Sequence, residues 1–177
     1  SIELSTKAVH MDMPDGAAKD RYVQSMNSES SSIEEHTVHY DIRFKTRVPE
    51  ADRIVELIIN IEVQVDPTPG YPILKRGIYY CSRMLSEQFG TEFLDEHYED
   101  MKKVVSIWIC PTPTASKRDS VVEAHIHAEE IYGSYAMQRS DYDLMQIVII
   151  SLNDEQEDSN RKIIRLLSVL LSGRETP

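Results

Sequence analysis

The feature that most constrains the fold is a pair of consecutive segments in which every second residue is apolar. The apolar positions are Val38, Tyr40, Ile42 and Phe44 in the first segment, and Val55, Leu57, Ile59, Ile61, Val63 and Val65 in the second. Alternation with a period of two is typical of a strand with one buried and one polar face. Because only Pro49-Glu50-Ala51-Asp52 separates the segments, they are predicted to form an antiparallel hairpin.

After the hairpin, the spacing of apolar residues changes from two to three and four. The breaker cluster Asp66-Pro67-Thr68-Pro69-Gly70 is followed by apolar residues at Leu74, Ile78, Cys81, Leu85 and Phe89. This spacing predicts an amphipathic helix over 71–89, with Gly90 as its C-terminal cap.

Further apolar segments predict the rest of the sheet. Residues 104–110 are apolar on both faces, which predicts a central strand, whereas 122–126 alternate and predict an edge strand. Residues 144–152 predict another strand, 163–171 predict a final helix, and the acidic segment 92–100 predicts a loop or a short helix. This order indicates an α/β fold in which helices flank a mixed sheet.

The chain is predicted to contain one structured core with a segment on either side. Residues 1–35 are weakly patterned and are expected to be partly flexible, and residues 36–152 form the core. Residues 153–177 are an acidic turn followed by an amphipathic helix, which serves either the core or a contact in a homodimer.

Composition and charge restrict the class of protein. With 177 residues and 41% hydrophobic content, the chain has the size of a single domain. Its net charge of -11 opposes diffuse phosphate binding, so contact with nucleic acid requires a local basic patch. Two cysteines provide no disulfide framework, no apolar run is long enough to span a membrane, and the first residues lack the pattern of a secretory leader. A cytoplasmic protein is therefore expected.

The polar faces of the two predicted strands contain two carboxylates. Asp41 lies on the polar side of the first strand, and Glu62 and Gln64 lie on that of the second, beside Asn60 and His39. Residues two apart on a strand are separated by about 6–7 Å, so pairing of the strands brings these side chains together. Two carboxylates on a rigid sheet are hard oxygen ligands for Mg²⁺ or Mn²⁺. The alternative is a hairpin whose solvated face simply carries ion pairs.

The predicted helix also has a basic face that contains tyrosines. Its members are Lys75, Arg76, Tyr79, Tyr80 and Arg83, and Arg43 and Lys45 extend it from the first strand. We expect this face to hold the phosphates of a nucleic acid. The alternative is a helix face that is merely solvated.

Histidine and cysteine residues elsewhere provide weaker candidates. His125 and His127 lie on one strand face but have no third ligand nearby, so a metal site is not favoured there. His39 beside Asp41 is interpreted as a surface histidine in preference to a proton carrier. Cys81 is interpreted as a buried thiol.

Several of these segments together resemble a known family. They are Tyr40-Asp41-Ile42-Arg43-Phe44, Ile59-Asn60-Ile61-Glu62-Val63-Gln64, Tyr71 to Met84, Lys102 to Cys110, and Tyr142-Asp143-Leu144-Met145. They are similar to the PD-(D/E)XK nuclease family transposases, bacterial proteins related to the recombination-promoting nucleases. The resemblance extends over about 36–152.

The resemblance implies a restriction-endonuclease-like fold and Mg²⁺- or Mn²⁺-dependent cleavage of phosphodiester bonds in double-stranded DNA. It implies that Asp41 and Glu62 bind the metal and that Gln64, at the family's lysine position, orients the attacking water. Asp41, Glu62 and Gln64 are thus the expected catalytic residues, and Lys75, Arg76, Tyr79 and Arg83 the expected DNA-binding residues.

Two other functions remain open at this point. A nuclease fold that has lost catalysis could act as a protein–protein or DNA-binding module, which the missing lysine and the acidic charge favour. The second is a metal-dependent hydrolase that acts on another phosphate ester, because a fold does not determine its substrate.

Overall fold

A computed structural model describes residues 23–26, 29–32, 35–50, 53–153 and 162 of the chain. The strands are β1 (Val23–Ser25), β2 (Glu29–Ser32), β3 (Glu35–His39), β4 (Ile42–Glu50), β5 (Arg53–Val63), β6 (Lys103–Cys110), β7 (Ser120–His125) and β8 (Met145–Ser151). The helices are α1 (Ile73–Ser86) and the one-turn α2 (Arg139–Tyr142), and short 3-10 turns lie at Tyr98–Asp100 and Ala115–Lys117.

The described part of the chain is built around a mixed sheet of six strands in the order β1-β4-β5-β6-β8-β7. β4 and β5 form the predicted antiparallel hairpin, in which Phe44 lies opposite Ile59. After α1, β6 returns parallel to β5, and β8 is parallel to β6. The predicted α/β class, the central position of β6 and the edge position of β7 are confirmed.

The first predicted strand is interrupted where the candidate site begins. Tyr40 and Asp41 belong to neither β3 nor β4, and β3 instead pairs with β2 in a separate two-stranded sheet. Across this interruption the apolar residues change sides. Val38 and Tyr40 join the core under α1, whereas Phe44 packs against the opposite face of the sheet. The prediction of one uninterrupted strand with a single apolar face is therefore wrong.

Helix α1 covers one face of the sheet through a stripe that overlaps the predicted one only in part. Tyr80, Cys81 and Met84 are buried against the sheet, whereas Ile78 is 44% exposed. Gly77 explains this orientation, because without a side chain the helix backbone approaches the sheet closely at that turn. The buried stripe thus follows the smallest residue of the helix, and it keeps Cys81 of the predicted apolar row but not Ile78.

The two faces of the sheet have separate apolar clusters. Under α1 the sheet contributes Ile58, Val104, Trp108 and Ile147. The opposite face carries Leu57, Ile59, Val105, Ile107, Val148 and Ile150, all of them buried. Strands β6 and β8 are therefore apolar on both faces, as central parallel strands usually are.

Some predictions concern residues outside the described ranges. They include most of the segment 1–35, the acidic turn at 154–158 and the final helix at 163–171. Within the described ranges, no helix is long and apolar enough to cross a membrane.

Candidate functional site

Asp41 and Glu62 are joined directly at the end of the hairpin where β4 begins and β5 ends. The main-chain N–H of Asp41 donates to Oε1 of Glu62 at 3.1 Å. In return, the main-chain N–H of Val63 donates to Oδ2 of Asp41 at 2.9 Å. The two side chains therefore continue the ladder of hydrogen bonds beyond the start of β4, which holds both carboxylates at fixed positions.

Glu62 lies in a buried, polar environment. It is 3% exposed, and its Oε1 also accepts a hydrogen bond from Nδ2 of Asn60 at 3.0 Å. Burial raises the pKa of the Glu62 carboxyl and the charge of Asp41 raises it further, whereas the N–H of Asp41, the Asn60 amide and the charge of Arg76 oppose the rise. A divalent cation is the kind of ligand that would favour the ionised carboxylate at such a position.

In each of the two carboxylates, one oxygen accepts hydrogen bonds and the other is available to a ligand. Among the described residues, no hydrogen bond is made to Oδ1 of Asp41 or to Oε2 of Glu62. Asp41 is exposed and Glu62 is buried, so the pair lies at the boundary between solvent and protein. This arrangement fits a hard cation, which prefers carboxylate oxygens.

Gln64 lies on the same face of the sheet as Asn60 and Glu62. Its main chain remains in the sheet, since its N–H donates to the carbonyl of Ile109 at 2.8 Å. Its side-chain Nε2 donates to the carbonyl of Asp66 at 2.8 Å, which restrains the amide. The geometry thus brings all three predicted catalytic residues to one end of the sheet.

Arg76 is held in an aromatic cage above this face. Its Nε and one terminal nitrogen donate to the hydroxyl of Tyr80 at 3.1 and 2.6 Å, and the other donates to the hydroxyl of Tyr71 at 2.8 Å. The guanidinium carbon lies 5.1 Å from the centroid of the Trp108 ring. Arg76 is therefore a preorganised positive charge, close enough to Glu62 to affect the pKa of its carboxyl.

The other predicted DNA-binding residues do not form one exposed basic face. Lys75 and Tyr79 are exposed, but Arg83 is buried at 6% exposure. Because Gly77 turns its side of α1 toward the sheet, the stripe that holds Arg83 borders the buried surface. Of the predicted helix cations, Lys75 is exposed, and Arg76 is half-buried with its charge close enough to affect Glu62.

The strand cations that were expected to extend the basic patch are paired with acidic residues. Arg43 is buried and donates to Glu87 at 2.6 Å. Lys45 forms an ion pair with Glu92. The expectation that Arg43 and Lys45 add to a free basic surface is wrong, because residues that follow α1 in the chain neutralise both.

Two of the remaining candidates are His125 and Cys81. His125 lies 3.5 Å from the Glu123 carboxylate, and the described residues contain no group of three or more His, Cys, Asp or Glu side chains able to hold a metal. Burial raises the pKa of the Cys81 thiol to about 12, which makes it a poor nucleophile.

The sequence did not reveal the aromatic cage around Arg76. Trp108 lies in the core, at 1% exposure, and its ring also supports the guanidinium. The spacing of Arg76 and Tyr80, four residues apart on a helix, was the available signal.

Comparison with known proteins adds no family to this description, since the chain matches no family model, no curated protein and no solved structure. The class that the fold defines is an α/β protein with a mixed six-stranded sheet.

Proposed function

We propose that the chain is a divalent-metal-dependent DNA endonuclease of the PD-(D/E)XK type. Asp41 and Glu62 would hold Mg²⁺ or Mn²⁺, Gln64 would orient water, and Lys75 and Arg76 would hold the phosphate. The observation that carries the proposal is the reciprocal hydrogen bonding of Asp41 and Glu62, which leaves one oxygen of each carboxylate available at one end of a rigid hairpin.

The ligand set fits magnesium. Mg²⁺ usually keeps several waters and takes only one or two carboxylates from the protein, with the rest from substrate phosphates. Two carboxylates with one unused oxygen each are therefore sufficient, and a third acidic ligand is not required. A metal bound there would polarise a phosphate oxygen and lower the pKa of a bound water.

The surrounding residues supply orientation and positive charge. Gln64 uses its amide nitrogen on the carbonyl of Asp66, which leaves its side-chain carbonyl oxygen as an acceptor for a water proton. Arg76 is fixed by two tyrosine hydroxyls and so offers a charge that needs no reorganisation. Lys75 is exposed one residue away and can approach a phosphate from solvent.

The order of the elements supports the finer assignment of a restriction-endonuclease-like core. An antiparallel hairpin is followed by a helix and then by a strand parallel to the second strand of the hairpin. Asp41 lies just before the first of these strands, and Glu62 lies near the end of the second. The resemblance to the PD-(D/E)XK nuclease family transposases implies that these two acidic residues bind the metal.

A second function is favoured by a specific observation. Arg43 and Lys45 are neutralised by Glu87 and Glu92, and glutamine replaces the family's lysine at Gln64. The site therefore has less positive charge than the resemblance implies. This reduced charge is compatible with a nuclease fold that does not catalyse and that acts as a protein–protein or DNA-binding module. The two functions differ in whether Asp41 and Glu62 bind a divalent cation and support cleavage.

The test uses isosteric variants of the two carboxylates. We expect Mg²⁺ or Mn²⁺ titrated calorimetrically into the full chain to bind, and binding to be lost in Asp41→Asn and Glu62→Gln. With supercoiled plasmid, we expect Mg²⁺-dependent nicking to fall at least a hundredfold in both variants, because each loses a ligand of the metal. Glu96→Gln, a change of the same kind at an exposed loop position, is the matched control.

Two results would contradict the proposal. Nicking that persists in both variants would show that the activity does not depend on these carboxylates. Cation binding absent from the unaltered chain would favour the non-catalytic module, and the salt dependence of DNA affinity would then identify its kind. Steep weakening with salt indicates DNA binding, whereas little affinity at any salt concentration indicates a protein partner.

A further inference from the structure

Strand β7 is the outermost strand on its side of the described sheet, and its edge has no lysine, proline or bulge. Edge strands of monomeric proteins commonly carry lysine, proline or a bulge that prevents pairing with another chain. Residues Ser120–His125 contain neither lysine nor proline, and their register with β8 is continuous. Val122 is 51% exposed, and Ile126, just after the strand, is 40% exposed.

The hydrogen-bond pattern shows which main-chain groups point outward from this edge. Ile126 and Met145 are the next pair in the β7–β8 register after His125 and Gln146. The N–H of Ile126 donates to the carbonyl of Met145, so this pair is hydrogen-bonded. In antiparallel sheets, bonded pairs alternate with non-bonded pairs. Val122 and Ala124 therefore bond to β8, whereas Glu123 and His125 direct their N–H and C=O groups away from it.

Side chains along the edge are self-complementary in one antiparallel register. A two-fold axis at Ala124 sets Glu123 opposite His125 of a second copy, and Val122 opposite the second copy's Ile126. The Glu123–His125 positions are then the hydrogen-bonded pairs, as the outward main-chain groups require. An axis at Glu123 or at His125 would instead set that residue against its own copy.

We propose that the β7 edge binds a second copy of this chain, forming a two-fold dimer in which the two six-stranded sheets join into one. Val122 and Ile126 pair on the face of the sheet that carries α1, and Glu123 and His125 pair on the other face. This inference does not depend on the proposed nuclease function, because β7 lies three strands away from β5 in the sheet.

The test is the self-association of the full chain measured by sedimentation velocity over a range of concentrations. The unaltered 20.4 kDa chain is expected to reach twice that mass. We expect Glu123→Lys and His125→Glu each to weaken the association about tenfold, because each substitution spoils both symmetry-related cross-strand pairs. The double variant Glu123→Lys/His125→Glu again sets a donor side chain opposite a carboxylate and is expected to recover the association.

The Glu123→Lys variant distinguishes specific pairing at the β7 edge from general repulsion between two negatively charged chains. Glu123→Lys moves the net charge of -11 toward zero and would strengthen association if only net charge mattered. Glu96→Lys, at an exposed position outside β7, makes the same change of net charge and is expected to leave the dimer intact. Because Glu123 also accepts a hydrogen bond from Gln146 of β8, thermal unfolding of every variant checks that the fold keeps its stability.

The proposal is overturned if the unaltered chain stays monomeric at every concentration reached. It is also overturned if the chain dimerises but neither single variant weakens the dimer, or if the double variant fails to recover it. A dimer that weakens equally in Glu96→Lys would likewise exclude the β7 edge as its contact.

Discussion

Replacing Gly77 by alanine is the sharpest test of how α1 is placed over the candidate site. Gly77 lies in the middle of α1 on the side facing the sheet. A Cβ added there would lie 2.8 Å from Cγ2 of Ile147 and 3.1 Å from Nε1 of Trp108. The first distance is closer than side-chain carbons normally approach, so α1 or the sheet must shift.

Two opposing effects determine the size of the change. Alanine in place of glycine favours a helix by about 1 kcal/mol. Overpacking a tight core costs about 1–3 kcal/mol, and the neighbours here have little room to move. Ile147 and Trp108 are 2% and 1% exposed, and the Trp108 N–H donates to the Ser106 hydroxyl at 2.8 Å. The overpacking cost is therefore expected in the upper part of its range, about 2–3 kcal/mol. After subtraction of the helix gain, we expect Gly77→Ala to lower the free energy of unfolding by about 1–2 kcal/mol.

Urea unfolding followed by tryptophan fluorescence measures this change, since Trp108 is the one tryptophan of the chain. The native emission should also shift, because the new methyl group presses on the indole that supports Arg76. Ser82→Ala, at an exposed position on the same helix, is the control and should change stability by less than about 0.5 kcal/mol. If Gly77→Ala stabilised the protein by about 1 kcal/mol, as at a solvent-facing helix position, the close packing argument would be refuted.

Two further predictions concern buried or paired carboxylates. Because burial raises the pKa of Glu62, the folded state holds a proton more tightly there, and this site lowers stability as pH rises above the ordinary carboxyl range. Glu62→Gln without divalent cations should therefore stabilise the protein by about 1 kcal/mol at neutral pH, and an unchanged or lower urea midpoint would contradict this. A hydrogen bond from Lys102 and another from Arg47 lower the pKa of Glu56 from 4.5 to about 2, so its stabilisation is complete above pH 4.5 and is lost as pH falls toward 2. Glu56→Gln should cost about 1 kcal/mol at neutral pH and flatten the decline in the urea midpoint on acidification, whereas a parallel decline would contradict the assignment.

The order of the core elements was predictable because the hydrophobic periods are strong and change abruptly. The alternation of 55–65 anticipates β5 (Arg53–Val63), and the apolar run at 104–110 anticipates β6. The short connection between the first two strands predicts their antiparallel pairing. Local pattern and tertiary structure agree in these elements, so the sequence was sufficient.

The orientation of the layers was not predictable in the same way. Alternation tells which residues of a strand share a face, but not which face a helix covers. Asn60 and Glu62 form the polar face of β5, and that face is buried beside α1 rather than solvated. The orientation of α1 depends on the close approach at Gly77, which is a tertiary contact with β6 and β8. No spacing within the helix encodes it.

The candidate site was predictable only where it depends on strand alternation, and not where it depends on how the layers pack. Strand parity alone placed Asp41 and Glu62 together, because the register of a hairpin follows from its turn and its apolar face. The stack of Arg76 on Trp108 joins a helix to a strand that follows it in the chain. Such a contact depends on how the layers pack, and only the structure reveals it.

The two ionic clusters of the hairpin differ in how completely their charges are satisfied. In one cluster, the cations Lys45, Lys102 and Arg47 enclose Glu56 and Glu92. Both carboxylates have lowered pKa values there, because hydrogen bonds from those cations outweigh burial. This cluster therefore stabilises the fold, and its carboxylates are already paired with cations of the same chain.

The cluster around Glu62 has the opposite character. The carboxyl is buried with a raised pKa, and the buried Oδ1 of its neighbour Asn60 has no hydrogen-bond partner among the described residues. A buried polar group left in this state costs stability, and such a cost is typical of sites that bind a ligand. Glu62→Gln is then expected to gain stability while it loses cation binding, whereas Glu56→Gln only loses stability. If the two variants change the free energy of unfolding in opposite directions, Glu62 is distinguished as the functional carboxylate and Glu56 as the structural one. This measurement needs no knowledge of the substrate.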